Sequence, residues 1–76
     1  MLNQESLLDI ANMRMPFGKY RGRCLIDLPD EYLLWFKSKG FPDGRLGQLL
    51  EATLEIKVEG LESLIEPLKH KAQKTE

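Results

Sequence analysis

One cysteine, one tryptophan and one histidine are all that the 76-residue chain holds of those types, and each scarcity excludes something. A lone Cys24 rules out an internal disulfide, so the fold has no covalent staple. A lone histidine, His70, near the C-terminal end offers no metal-ligand spacing and no obvious general base. No apolar run approaches the roughly 18 residues of a membrane span. The opening Met1-Leu2-Asn3-Gln4-Glu5 lacks the basic start and apolar middle of a secretory signal, which makes a reducing cytoplasm the expected compartment. Net charge is nearly absent too, at -1. The molecule as a whole therefore has no field to draw it onto nucleic acid or an anionic membrane.

The charge that is present is unevenly placed. Arg14, Lys19, Arg21 and Arg23 fall between residues 14 and 23 with no acid among them. Glu51, Glu55, Glu59, Glu62 and Glu66 fall between residues 46 and 66 against Lys57 alone. A basic knuckle and an acidic segment are the expected electrostatic poles. At this length the chain is read as a single domain over 1–76, with its core at about 3–68 and a polar tail over 69–76.

Apolar spacing supplies the elements. Leu2, Leu7, Leu8, Ile10 and Ala11 mark one side of a first helix over about 4–12, with Asn3 as its N-cap, Glu5 near its positive end and Pro16 barring continuation. Residues 15–17 and 23–26 read as two short extended pieces joined by Gly18-Lys19-Tyr20-Arg21-Gly22. Flanking glycines are what a tight tip with positive φ needs, so the segment is predicted to be a two-stranded hairpin lying on the helices through Phe17, Leu25 and Tyr20.

Leu28-Pro29-Asp30-Glu31 has the chemistry of a helix start, and Lys37, Lys39 and Gly40 that of a helix end. The helix between them, about 29–39, carries Tyr32, Leu33, Leu34, Trp35 and Phe36. It is expected to be the most buried element, with Trp35 filling the core. After a turn at Phe41-Pro42-Asp43-Gly44, with Asp43 as the expected cap, residues 45–59 fit two templates. Positions 52–59 alternate like a strand, but the helical template gathers Gln48, Glu51, Glu55 and Glu59 into one wet stripe and is preferred. It leaves Lys57 on the apolar side, where its stem must snorkel, and places Val58 there as well. Gly60 ends that helix, and Leu61, Leu64, Ile65 and Leu68 make a last amphipathic turn or two before Pro67 interrupts. The fold class expected is mainly α within α+β: three to four helices with a two-stranded β-hairpin after the first.

Few groupings suggest chemistry. Gly18 to Gly22 lacks the G-x-x-x-x-G-K-[ST] order of a phosphate loop. Asp27, Asp30 and Glu31 cluster, but the helix start accounts for two of them and no further ligands complete a metal site. Cys24 lies beside Arg21 and Arg23 without a base to activate it. No catalytic role, metal or cofactor is therefore expected. The basic knuckle is the candidate site: Arg14, Lys19, Arg21 and Arg23 toward phosphates, with Tyr20 to stack on an unpaired base. A protein partner on the same knuckle, or on the acidic helix, is the competing reading, and a solvated hairpin whose cations pair with Asp27, Asp30 and Glu31 is the plainest one.

Met15-Pro16-Phe17-Gly18-Lys19-Tyr20, Gly22, Leu28-Pro29-Asp30-Glu31-Tyr32-Leu33, Trp35, Gly47, Leu49-Leu50, Glu55-Ile56-Lys57 and Gly60-Leu61-Glu62 together resemble the small bacterial family called "putative quorum-sensing-regulated virulence factor". The likeness runs over about residues 13–69, and the family's name implies regulation by quorum sensing without a mechanism. The stretch from Pro16 to Trp35 also resembles a short module at the C-terminal end of some bacterial 3'-to-5' exonucleases. The acidic exonuclease motifs are absent from this chain, so that second resemblance implies an accessory contact with DNA, or with a protein on it, and no nuclease activity.

Overall fold

A computed structural model describes residues 4–69, and it is built of helices. Helix α1 is Gln4–Asn12, α2 Asp30–Lys39, α3 Arg45–Val58 and α4 Glu62–Ile65, with short 3-10 turns at Leu25–Asp27 and Glu66–Leu68. No strand occurs among the described residues, and the expected β-hairpin is not formed. What stands in its place is one isolated antiparallel bridge, Arg14 to Cys24. It is framed by Met15 N–H to the Arg23 carbonyl at 2.8 Å and Leu25 N–H to the Met13 carbonyl at 3.0 Å.

Pairing stops there because the next donor is used inside the loop: the Arg23 N–H, which a continued ladder would direct to the Met15 carbonyl, bonds to the Tyr20 carbonyl at 3.1 Å. The Gly22 N–H turns back to the Met15 carbonyl at 2.9 Å instead, closing the segment as a loop.

α1 follows its expected bounds. Residues four apart, Ser6 with Ile10 and Leu7 with Ala11, put its apolar side inward. At its end the Asn12 amide donates to the Leu8 carbonyl at 3.1 Å and, across the chain, to the Leu68 carbonyl at 2.9 Å. The expected Asn3 cap, like Leu2, His70 and most of the polar tail, lies outside the described residues.

α2 begins after Pro29 with Asp30 and Glu31 in its first turn, and it closes with Gly40 at φ 106°, whose N–H reaches the Phe36 carbonyl at 2.6 Å. It is not the most buried element. Only Leu33 and Phe36 are fully inside, and Trp35 is 51% exposed, so the expectation that Trp35 fills the core is corrected. Positions 33 and 36 share one side of the helix, while 32 and 35 share the next. The inward side is that of Leu33 and Phe36, and Leu34 faces out with Trp35.

The central element is α3, where Gly47, Leu49, Leu50, Thr53, Leu54 and Ile56 are buried. Gln48, Glu51, Glu55 and Glu59 are exposed, as the helical template requires. Lys57 is largely covered and brings its ammonium out to Asp30 at 3.6 Å, which is the snorkel expected of it. Val58, placed on the apolar side in the sequence reading, is instead 71% exposed. The residue before the helix is Gly44, with no side-chain cap from Asp43.

The helices close around one cluster formed by Ile10, Ala11, Met15, Leu25, Ile26, Leu28, Leu33, Phe36, Leu49, Leu50, Leu54, Ile56 and Ile65. α3 packs on α1 and α2, and the C-terminal turns fold back onto α1. Met15, Leu25 and Leu28 anchor the basic loop from below, leaving its tip at the surface.

Candidate binding surface on the basic loop

Two glycines set the shape of the loop. Gly18 and Gly22 have φ of 83° and 90°, a region that residues with a Cβ rarely enter. Between them, Arg21 N–H bonds to the Gly18 carbonyl at 3.2 Å and Arg23 N–H to the Tyr20 carbonyl at 3.1 Å. The Arg14 guanidinium spans the loop's base, donating to the Gly22 carbonyl at 2.8 Å. One of its five donors thus braces the backbone, and the group remains at the surface.

Tyr20 is not a ring displayed to water. It is half-buried, with the Lys19 ammonium 5.5 Å and the Arg23 guanidinium 5.2 Å from its centroid. The Tyr32 ring meets it edge-on at 4.8 Å. Lys19, Arg21 and Arg23 are exposed, and among the described residues none of these three, nor Arg14, is within ion-pair distance of a carboxylate. Two of the three acids that were candidates to neutralise them are engaged elsewhere, Asp27 with Lys69 at 2.8 Å and Asp30 with Lys57, and Glu31 is exposed and forms no ion pair with the loop's cations. The hydrogen bond from Lys69 to Asp27 raises the lysine's pKa.

Beyond Tyr20 the rings continue. Tyr32 lies parallel to Trp35, with 4° between planes and 6.4 Å between centroids, and Phe36 meets both nearly edge-on at 5.0 and 5.1 Å. Phe36 in turn neighbours Phe41 at 6.3 Å. Burial, and next to it the charge of Tyr20, pushes the Tyr32 phenol up from its ordinary pKa. Phe17, on the loop, is 44% exposed.

The sequence reading brought together Arg14, Lys19, Tyr20, Arg21 and Arg23, and all five do lie on one loop. Tyr32, Trp35 and Phe36 could also be read from the sequence as a binding platform, but the core was the preferred place for them, and of the three only Phe36 is buried. The signal for Tyr32 and Trp35 was present in the three-residue spacing that sets them one stripe away from Leu33 and Phe36. Among the described residues no three His, Cys, Asp or Glu side chains converge as a metal site would require. No helix of the described residues is long and apolar enough to cross a membrane.

Fold and surface together define a small helical domain that presents a glycine-shaped cationic loop beside a row of aromatic rings. The chain belongs to the family described as "Putative quorum-sensing-regulated virulence factor", which matches over residues 3–68. It is 61% identical over 69 residues to "Uncharacterized protein YpeB" of Escherichia coli K12, covering 90% of this chain and 96% of that relative. The protein of the same name in Escherichia coli O157:H7 gives the same identity and coverage. No solved structure matches the chain.

Proposed function

We propose that this domain is a non-catalytic, cytoplasmic binding module that holds nucleic acid by its phosphates through Lys19, Arg21 and Arg23, with Arg14 at the loop's base. One observation carries the reading: all four cations stand without a carboxylate partner among the described residues, on a loop whose backbone is already fixed. A phosphate strand meeting them displaces no ion pair. It gains instead from the counterions it releases.

Titration of labelled single- and double-stranded oligonucleotides at about 50 and 200 mM salt tests this. Each phosphate contact contributes about -0.7 to -0.9 to the slope of log K against log salt, so three to four contacts give roughly -2 to -3.6. Replacing Lys19 and Arg21 by alanine lowers the steepness by about two contacts' worth. Binding that is absent, or indifferent to salt, overturns the proposal.

A second reading, a protein-binding adaptor, is favoured by one specific feature. Glu51, Glu55 and Glu59 rim a cleft between α2 and α3 whose walls include the exposed Leu34 and Val58. Capture of a partner that depends on Glu51 or Glu55, by a chain that ignores oligonucleotides, supports that reading over the first.

A further inference from the structure

We propose that Trp35 is a stacking platform for an unpaired nucleobase, so that this surface selects single strands over duplex; the inference rests on the phosphate-binding reading above. A base needs an open aromatic face of fixed orientation close to where its phosphate is held. Tyr20, the ring at the loop itself, does not offer one: Lys19 and Arg23 lie over it and Tyr32 closes on it from the side. Trp35 is the more exposed ring: about half of it faces solvent, and it is held by the parallel Tyr32 and the crossing Phe36.

Its distance from the cations suits the task. Lys19 and Arg23 lie over Tyr20, Tyr20 meets Tyr32, and Tyr32 lies beside Trp35, so the charges and the half-exposed indole are two ring contacts apart. In a single strand the phosphates can lie along Lys19, Arg21 and Arg23 while a base turns onto Trp35. Bases paired within a duplex are stacked on one another and leave the indole only sugar and phosphate to meet. Charge alone would bind both forms, so the indole supplies the discrimination.

The chain reports on its own test, because Trp35 is its one tryptophan. The full chain is titrated with an unlabelled oligothymidylate of about 12 nucleotides, within the span of known single-strand sites, and with the duplex it forms with oligoadenylate. The expected result is quenching of Trp35 fluorescence by the single strand and affinity at least about 10-fold above that for the duplex. Trp35→Ala should weaken single-strand binding about 5- to 150-fold, the range for losing one stacked base, and leave duplex binding unchanged. Trp35→Phe, which keeps a ring, should retain most of the preference, and circular dichroism of both variants verifies that they fold. Equal salt-dependent affinity for both forms, with fluorescence unmoved, overturns the stacking role and leaves the phosphate reading standing. Failure to bind either form overturns both.

Discussion

Gly18 lies so close to the Tyr32 hydroxyl that a Cβ at position 18 would stand 2.7 Å from that oxygen. The turn of the basic loop and the aromatic row of α2 are therefore fitted to one another, and a side chain at the glycine disturbs both.

Gly18→Ala should destabilise the domain by about 1–2 kcal/mol from its left-handed backbone alone. The added methyl should also push the Tyr32 ring, and with it the environment of Trp35. Gly22 has a similar φ of 90° but open space around it, so Gly22→Ala should lose comparable stability without moving the rings. Urea unfolding followed by near-ultraviolet dichroism separates the two outcomes. An unchanged aromatic spectrum for Gly18→Ala contradicts the fit.

Gly47→Ala carries a sign opposite to the usual one. In a helix interior the change normally gains about 1 kcal/mol. Here the new Cβ would fall 1.7 Å from the Pro42 carbonyl oxygen, which is backbone and cannot swing aside. A net loss of about 3 kcal/mol is expected, near the upper end of ordinary overpacking. A denaturant midpoint that rises on this substitution excludes the packed corner between Pro42 and α3.

Leu50 and Trp35 should respond in the reverse order of their sizes. Leu50 is fully buried, so Leu50→Ala is expected to cost about 2–5 kcal/mol, enough to unfold much of so small a domain. Half-exposed Trp35 loses two ring contacts and part of its covered surface on truncation, about 1–2 kcal/mol. Melting temperatures of the two variants decide the matter. A larger drop for Trp35→Ala would put that side chain back in the interior.

Alkaline pH should weaken the fold through Tyr32 and Lys69. Both have pKa values raised in the folded state, Tyr32 chiefly by burial and Lys69 chiefly by its hydrogen bond to Asp27. A raised pKa means that the folded state keeps its proton longer than the unfolded chain does. The stability so gained is complete below the unfolded values, near pH 10, and drains away as pH climbs through the folded ones. Urea midpoints measured from pH 8 to 11 should fall at the upper end, and less steeply for Tyr32→Phe. A decline as steep in that variant as in the parent chain removes Tyr32 from the cause.

How far the chain could be read in advance depended on whether periodicity or pairing decided the outcome. α1 was legible from its apolar spacing and the proline beyond it, α2 and α3 because apolar spacing agreed with glycines at their ends, and the wet stripe from Gln48 to Glu59 settled helix over strand for residues 52–59. The hairpin was overread: glycines at both ends of a tip specify the turn, but the turn takes the Arg23 N–H for the Tyr20 carbonyl, and that is the donor a second bridge would need. Trp35 was misplaced because five successive apolar residues mark a helix without saying which side turns inward. The engagement of Asp27 and Asp30 by Lys69 and Lys57 joins residues far apart in the chain, which no local pattern reveals. The loop's cations were found by simple counting, whereas the rings beside them needed the fold.

Five backbone hydrogen bonds tie the segment from Met13 to Leu25 across itself. Little freedom is left there to be surrendered on contact, so whatever docks on this loop meets a shape set beforehand, and variants that slacken it should shorten the life of the complex more than they slow its encounter.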